Sequence, residues 1–237
     1  MIGETHVLRS ERGAGPARRK NRRAHDTDVL MTTASSGVAH IADRHRDRVL
    51  RDERGGIDRA AAERAVGDLL VALGRDLDAP GLRETPRRVA AAFAELLSHE
   101  PVALTTFPND GGYDELVVVR EIPFHSLCMH HLLPFHGVAH VAYLPGERIV
   151  GLSKLARVVE VYARELQVQE RLTMQVAECL QSQLEPKGVG VVVEAEHLCM
   201  SLRGVQKAGT RTTTSALLGL LRDDARTRSE FLSLVRS

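Results

Sequence analysis

The spacing of apolar residues divides the chain near residue 100. Before that point they recur at intervals of three and four positions, which is typical of amphipathic helices. Residues 58–73 form the first such stretch, with Asp58 placed to cap it, and residues 85–97 form a second, with Pro86 in its first turn. We interpret the apolar side of both predicted helices as core.

After residue 100, β-branched runs typical of strands alternate with further helical patterns. Strands are predicted at 115–122, 137–144 and 188–195, the last able to continue to residue 202, and helices at 153–166, 170–184 and 224–235. Residues 210–221 fit either a strand or a helix. Helices followed by strands interleaved with two helices predict an α+β fold with a largely antiparallel sheet.

The N-terminal segment, residues 1–54, has few apolar residues and contains the basic run 18–23. Such a segment buries too little apolar surface to offset its ordering entropy, so we predict a disordered basic tail. No aromatic residues interleave with the basic run, and we therefore predict no nucleic-acid or membrane partner. The predicted folded domain is 55–237, with a helical part at 55–100 and a sheet-containing core at 101–237.

Composition narrows the class of protein. The chain has 237 residues, 43% of them hydrophobic but only 3% aromatic, so the core must consist mainly of Val, Leu and Ala. No run of about 18 apolar residues predicts a membrane span, and the N-terminus lacks an apolar signal region. The three cysteines are an odd number, which favours a reducing compartment, the cytoplasm. A net charge of +1 means that any anion site is local.

Two clusters of cysteine and histidine carry the candidate chemistry. Cys128 and His131 are three positions apart, with His130 between them, and can bind one metal ion if the chain turns there. Flanking prolines favour a non-strand segment at this point. In the second cluster, His197 and Cys199 would share one face of an extended strand. The two clusters can therefore present two sulfur atoms and an imidazole to one cavity.

Two thiolates and one imidazole fill three corners of a zinc tetrahedron and leave the fourth for water, as in catalytic zinc sites. A water in that position would lose its proton near pH ~7. The alternative is that Cys128 and Cys199 are inert core residues or a disulfide, because cysteine is among the most buried residue types. Cys179 follows the Leu/Val period of a predicted helix, and we interpret it as core.

A candidate anion site lies at the start of the helix predicted at 153–166. Ser153 occupies the expected N-cap position, and Lys154 and Arg157 can line the first turn. Free amides, the helix dipole and two cations would together bind phosphate. The alternative is a capped surface helix with solvated charges. Glu170 opens the next helix, where an acid can simply favour the dipole.

In combination, six segments resemble the GTP cyclohydrolase I family, in family order from about residue 58 onward. They are Glu84–Val89, Cys128-x-His130-His131, Gly151–Arg157, Gln167–Leu172, His197-x-Cys199-Met200 and Arg203–Gln206. The resemblance implies the tunnelling fold, in which N-terminal helices precede an antiparallel sheet with two helices on one face. It also implies a ring-shaped homodecamer with active sites at subunit boundaries.

The activity implied by the resemblance is zinc-dependent opening of the guanine imidazole ring of GTP. Water activated at the metal would attack C8 once N7 is protonated, and formate and 7,8-dihydroneopterin triphosphate would be formed, as in pterin and tetrahydrofolate biosynthesis. The residues that match the zinc ligands are Cys128, His131 and Cys199. The residues that match the proton-handling groups are His130, which would act at N7, and Ser153 and His197, which would act in the later ribose rearrangement.

The resemblance also implies how GTP is bound. The residues that match triphosphate contacts are Lys154, Arg157 and Arg203. Glu170 matches the guanine anchor, because one carboxylate can accept hydrogen bonds from both N1–H and the 2-amino group, which adenine does not offer. Gln169, beside it, is expected to contact the base.

One position departs from the family pattern. Met129 stands where the family usually has Glu, which removes a charge beside the metal cluster. Three interpretations follow: a tolerated substitution, a working paralogue for a deazapurine or other secondary-metabolite pathway, and a partly disabled enzyme. A reductase of a 7-deazaguanine nitrile would need a nucleophilic Cys and nicotinamide binding, and the paired Cys/His cluster suits hydrolysis better. A non-catalytic, zinc-stabilised oligomer is the alternative from another class, and formate release distinguishes it.

Overall fold

Two helices precede the sheet in the computed structural model, which describes residues 56–236. Helix α1 is Arg59–Ala72 and helix α2 is Thr85–Leu96. Asp58 caps α1, since its carboxylate accepts a hydrogen bond from the Ala61 N–H at 2.9 Å. Both predicted helices are thus confirmed, and the tail predicted at 1–54 lies outside the described residues.

The apolar side of α1 is not part of the core of a single chain. No residue of α1 is buried, and Leu69 and Leu73 are 57% and 62% exposed. The helix packs against α2 rather than against the sheet. The prediction that this side is core is therefore wrong for one subunit, because helical periodicity shows which side is apolar but not what covers it.

The sheet is mainly antiparallel, as predicted. Its five strands have the order β5-β2-β3-β6-β7, with β2 and β5 parallel, and β1 and β4 form a separate antiparallel pair. The strands are β1 Thr106–Pro108, β2 Val117–Cys128, β3 Pro134–Leu144, β4 Arg148–Val150, β5 Leu166–Gln167, β6 Gly188–His197 and β7 Arg211–Gly219. The later helices are α3 Leu152–Ala163, α4 Gln169–Leu184, α5 Leu198–Ser201, α6 Leu220–Asp223 and α7 Ala225–Arg236.

The main core lies between the sheet and helices α3 and α4. It is built mainly from aliphatic side chains, such as Leu155, Val176, Leu180 and Val191, each fully buried. A smaller cluster on the other face of the sheet packs Phe231 and its neighbours from α6 and α7. Within residues 56–236, no helix has both the length and the apolar character needed to cross a membrane.

Strand β2 is longer than predicted. It runs through Pro123 to Cys128, so the prediction of a non-strand segment before Cys128 is wrong. Among the described residues, β5 pairs only with the last two residues of β2, and Pro123 therefore lies on a stretch that is bonded to β3 alone. Proline is tolerated on such an edge because it has no N–H to donate.

Three other element boundaries differ from the predictions. The helix predicted at 153–166 ends at Ala163, and the chain then enters β5. The strand predicted to reach residue 202 ends at His197, where α5 begins. The ambiguous stretch 210–221 divides into strand β7 and the start of α6. The terminal helix is confirmed, with Asp224 accepting hydrogen bonds from the Thr227 N–H and hydroxyl.

Gly137 lies where β3 passes closest to β6. An ideal Cβ at this position would lie 1.9 Å from the Glu194 carbonyl oxygen and 2.7 Å from the Ala195 Cα. Overpacking against side chains costs about 1–3 kcal/mol, and a central main chain yields less readily than a side chain. We expect Gly137→Ala to lower the free energy of unfolding by more than about 3 kcal/mol in urea denaturation. The control is Gly81→Ala, whose Cβ meets nothing within 4 Å, and equal losses in the two variants would contradict this account.

Candidate active site

A tight turn after β2 brings His131 back over Cys128. The Cys128 carbonyl accepts hydrogen bonds from the N–H groups of His131 at 3.2 Å and Leu132 at 2.8 Å, and the Cys128 N–H donates to the Leu133 carbonyl at 2.9 Å. Leu132 has a φ of 55°, the left-handed conformation that reverses the chain. The Cys128 Sγ consequently lies 3.8 Å from the His131 Nδ1. The predicted turn between these two residues is confirmed.

Cys199 reaches the same place by a different route from the predicted one. The prediction that His197 and Cys199 share one face of a strand is wrong, because β6 ends at His197 and Cys199 lies in the single turn of α5. The candidate ligand atoms of Cys128, His131 and Cys199 nevertheless all lie within 4.8 Å of one another. Ligand atoms of a tetrahedral zinc ion lie roughly 3.3–3.8 Å apart, given bonds of about 2.0–2.3 Å. Small side-chain rotations would thus close the group around one ion.

The donor chemistry also fits a zinc ion. Neither Cys128 nor Cys199 forms a disulfide, so both sulfur atoms are available. Burial, followed by the neighbouring Cys128 thiol, raises the pKa of Cys199, while Arg203 acts in the opposite direction. The Cys199 thiol therefore resists losing its proton, and a bound cation would reverse this by stabilising the thiolate. Two sulfurs and one imidazole are a donor set that zinc accepts.

Two further histidines flank the three-residue cluster. The Nδ1 of His130 lies 3.9 Å from the Cys128 Sγ, and the His130 side chain is exposed. The His197 ring stacks on Phe135, with ring centroids 4.6 Å apart and planes 1° from parallel. Burial lowers the pKa of His197, opposed by the negative charge of Glu170. His197 is therefore held as a neutral, oriented imidazole beside the cluster.

The start of α4 contributes Glu170 and Gln169. Glu170 is exposed in the first turn and close enough to His197 to influence its pKa. Gln169 is 1% exposed, and its amide nitrogen lies 2.9 Å from the Thr212 carbonyl and 3.0 Å from the Val193 carbonyl. A base contact through the Gln169 side chain would require these bonds to break.

The loop that carries Cys199 and Arg203 is fastened to the end of β6 by Glu196. One carboxylate oxygen accepts hydrogen bonds from the Ser201 hydroxyl at 2.5 Å and the Gly209 N–H at 3.1 Å. The Ser201 bond, followed by the Gly209 bond, lowers the pKa of Glu196. The sequence did not predict these hydrogen bonds of Glu196, because an isolated Glu in a strand does not indicate which residues beyond the next turn it will contact.

Ser153 and Lys154 lie at the start of helix α3, whereas its other end leads towards the cysteines. Helix α3 ends beside β5, which pairs with Leu127 and Cys128, so its C-terminal end is the one nearer Cys128. The 12 residues of α3 separate its start from that end by about 18 Å at a rise of 1.5 Å per residue. The predicted N-cap role of Ser153 is wrong, since Gly151 is the N-cap. In the part of the chain from 56 to 236, the side chains of Ser153, Lys154 and Arg157 form no hydrogen bond or ion pair.

Comparison with known proteins gives one consistent answer. Residues 62–236 match the family model described as GTP cyclohydrolase I. The chain is 55% identical over 197 residues to GTP cyclohydrolase 1 of Streptomyces griseus, a match that covers 80% of this chain and 98% of that protein. It is 52% identical over 204 residues to GTP cyclohydrolase 1 of a Synechococcus strain, covering 81% of this chain and 89% of that protein.

The match includes every element from α1 to α7, and the antiparallel-rich sheet backed by α3 and α4 is consistent with the tunnelling fold of those relatives. It also includes the turn and the loop that bring Cys128, His131 and Cys199 together. On the strength of the family model and of relatives identical at more than half of the aligned positions, this chain belongs to the GTP cyclohydrolase I family.

Proposed function

We propose that this protein hydrolyses the imidazole ring of GTP, releasing formate and forming 7,8-dihydroneopterin triphosphate in a zinc-dependent reaction. The observation that carries the proposal is the convergence of Cys128, His131 and Cys199 in a member of this family. The direct test is incubation of zinc-replete protein with GTP, followed by assay of formate and of the fluorescent pterin that oxidation of the product yields. Zinc-replete protein that releases neither would contradict the proposal and leave the zinc-stabilised oligomer as the better reading.

Zinc would be held by the two thiolates and the imidazole, with one position left for solvent or substrate. When bound, zinc supplies Lewis acidity that activates water near neutral pH. The chain supplies the positions of the three ligands: Cys128 from the end of a central strand, His131 from the turn that follows, and Cys199 from α5. Two water molecules are consumed as the two C8–N bonds break and C8 leaves as formate. One water is returned when the rearranged ribose condenses with the freed amine to close the pterin ring.

We assign proton transfer beside this centre to His130 and His197. His130 is exposed next to Cys128, and we assign it the proton at N7 of the guanine, a role that suits an imidazole. His197 is assigned to proton transfer in the rearrangement of the opened ribose, because its ring is oriented from two sides. Ser153 is assigned to the same step from a neighbouring subunit.

Glu170 is the proposed guanine anchor. Its exposed carboxylate lies at the start of α4, near His197, and can accept hydrogen bonds from N1–H and the 2-amino group at the same time. Gln169 is buried behind it. Guanine bound in this way would present its imidazole side to the metal cluster.

The triphosphate contacts require a second copy of the chain. Arg203 lies near Cys199, but Lys154 lies at the start of α3, about one helix length from the end of α3 that is nearer Cys128. The uncovered apolar side of α1 also favours association, because monomers rarely expose large apolar patches. We therefore propose a ring-shaped homodecamer in which Ser153, Lys154 and Arg157 of one subunit complete the site of its neighbour.

Mixed oligomers of two inactive variants test the shared site. Cys128→Ala removes a zinc ligand and Lys154→Ala removes a triphosphate contact, and we expect each alone to be nearly inactive. In oligomers assembled from equal amounts of both, random pairing leaves about a quarter of the sites with both residues intact, provided that the two come from different subunits. We expect formate release to recover toward about a quarter of the wild-type rate.

The matched control is the double variant, Cys128→Ala with Lys154→Ala in one chain, mixed with either single variant. This mixture contains no site with both residues intact and is expected to stay inactive. Failure of the first mixture to recover, in oligomers shown by mass spectrometry to contain both chains, would contradict a site shared between subunits.

Met129 takes part in the turn through its main chain. Its main-chain N–H donates to the Gln167 carbonyl at 2.9 Å, which links the turn to β5 whatever the side chain. The side chain itself is 43% exposed. The cluster geometry is therefore independent of this departure, and we favour a working enzyme over a disabled one. No disulfide joins cysteines within residues 56–236 of the proposed catalytic domain, 55–237, which suits a reducing compartment, and we propose the cytoplasm.

A further inference from the structure

A buried glutamine makes the one side-chain hydrogen bond recorded for His197 among residues 56–236. The Oε1 of Gln169 lies 2.8 Å from the His197 Nε2. Gln169 is the first residue of α4 and is 1% exposed, so its amide is removed from water and must be satisfied within the protein.

The surroundings of Gln169 fix which end of its amide faces the histidine. The nitrogen lies 2.9 Å from the Thr212 carbonyl, 3.0 Å from the Val193 carbonyl and 3.2 Å from the Thr214 hydroxyl. Carbonyl oxygens can only accept hydrogen bonds, so the NH₂ group must stay on that side. The amide oxygen is then the end that points at His197.

A second layer of buried contacts holds this arrangement. The Thr173 hydroxyl lies 2.8 Å from the Gln169 main-chain carbonyl and 2.6 Å from the Thr214 hydroxyl, and Thr173 is 1% exposed. On the other side, Phe135 stacks parallel to the His197 ring. The stacking restricts the ring to one plane. A 180° flip about the Cβ–Cγ bond would return the ring to that plane, but it would break the hydrogen bond to Gln169.

We propose that Gln169 is a positioning residue that holds His197 in the tautomer with the proton on Nε2 and a free lone pair on Nδ1. An amide oxygen cannot donate, and the hydrogen bond therefore exists only with the proton on the histidine. In its neutral form His197 then meets the substrate as a proton acceptor, through Nδ1. The use of this tautomer in catalysis rests on the proposed function, whereas the tautomer itself follows from the contacts of Gln169.

The tautomer of His197 sets the order of proton transfer in the reaction. His197 takes a proton from the opened ribose on Nδ1 and becomes an imidazolium, while its Nε2–H bond to Gln169 persists. Return of the same proton to the substrate restores the starting tautomer. The opposite tautomer would present an N–H to the substrate and could not begin with proton abstraction.

Nitrogen-15 solid-state NMR of protein labelled at histidine tests the tautomer directly, because protonated and bare ring nitrogens differ widely in chemical shift. The His197 signals are identified by their loss in His197→Asn. We expect a protonated Nε2 and a bare Nδ1 in the wild type, and a proton on Nδ1 would overturn the proposal. This result does not depend on whether any variant of Gln169 folds.

Two substitutions separate positioning from mere support of the fold. Gln169→Met has nearly the same shape but no amide oxygen to accept the hydrogen bond, and we expect mixed tautomers. The expected fall in kcat is about 10–100-fold, less than the ~10²–10⁴-fold that a general acid–base group itself contributes. The KM for GTP and the zinc content should stay within about threefold, because no ligand or anchor is removed.

Gln167→Met is the matched control. Gln167 is also 1% exposed, but its amide nitrogen donates to the Tyr162 carbonyl and the Gln175 side chain and does not reach His197. This variant loses an equally buried amide and should keep the wild-type tautomer. A wild-type tautomer and kcat in Gln169→Met would overturn the proposal. If wild-type His197 shows the expected tautomer while GTP is not turned over, the proposed function fails and the positioning by Gln169 stands.

Discussion

Cys199→Ala is expected to purify without stoichiometric zinc and to release formate from GTP more than about 100-fold more slowly than the wild type. Loss of a residue that merely supports a metal ligand typically costs about 10–100-fold in affinity or activity, so loss of a ligand should exceed this. Only Cys128 and His131 would remain, and two ligands hold zinc poorly. Metal analysis by mass spectrometry and formate release measure the two effects on the same preparation.

Cys179→Ala is the matched control for this prediction. Cys179 is fully buried in α4, where it packs in the aliphatic core. Its loss removes a thiol of the same type but, on our account, no metal ligand. It should keep zinc and turnover, with some loss of stability. If Cys199→Ala keeps zinc at the wild-type ratio, or if Cys179→Ala loses it, the assignment of the ligands is wrong.

Glu170→Ala is expected to reduce kcat/KM for GTP by about 10²–10⁴-fold, because two hydrogen bonds to a charged acceptor, each contributing about 1.5–3 kcal/mol, are lost. The preference for GTP over ATP should largely disappear, since ATP offers neither N1–H nor a 2-amino group to this carboxylate. Competition between the two nucleotides, measured as inhibition of formate release, gives the preference directly.

Glu230→Ala controls for the loss of a negative charge. Glu230 is an exposed carboxylate on α7, outside the cluster of residues around the proposed metal site. It should leave both turnover and nucleotide preference unchanged. A Glu170→Ala protein that still prefers GTP and retains its turnover would show that the guanine is anchored elsewhere.

The sequence was sufficient for the class of fold and for the grouping of Cys128, His131 and Cys199, but not always for the correct reason. Cys128 and His131 are close in sequence, and a turn between them was enough to bring them together. Cys199 was also correctly grouped with them, yet through strand alternation that the structure replaces with a short helix. The chemistry of cysteine and histidine was the informative signal, and the local geometry was not.

Contacts between distant segments could not be predicted. The amide of Gln169 is fixed by main-chain carbonyls on β6 and β7, 24 and 43 positions away, and a carbonyl has no residue type that a sequence could reveal. The same limit applies to α1, whose apolar side is evident from periodicity although nothing in one chain covers it. Pro123 was misread because its position on an edge depends on which strand lies beside it.

Zinc-edge X-ray absorption of the purified protein tests the central claim most directly. Two thiolates, one imidazole and one exchangeable light ligand predict two sulfur atoms at about 2.3 Å and two nitrogen or oxygen atoms at about 2.0 Å from the metal. A spectrum fitted by four sulfur atoms, or by none, would contradict the assignment of Cys128, His131 and Cys199 and, with it, the hydrolytic site built around them.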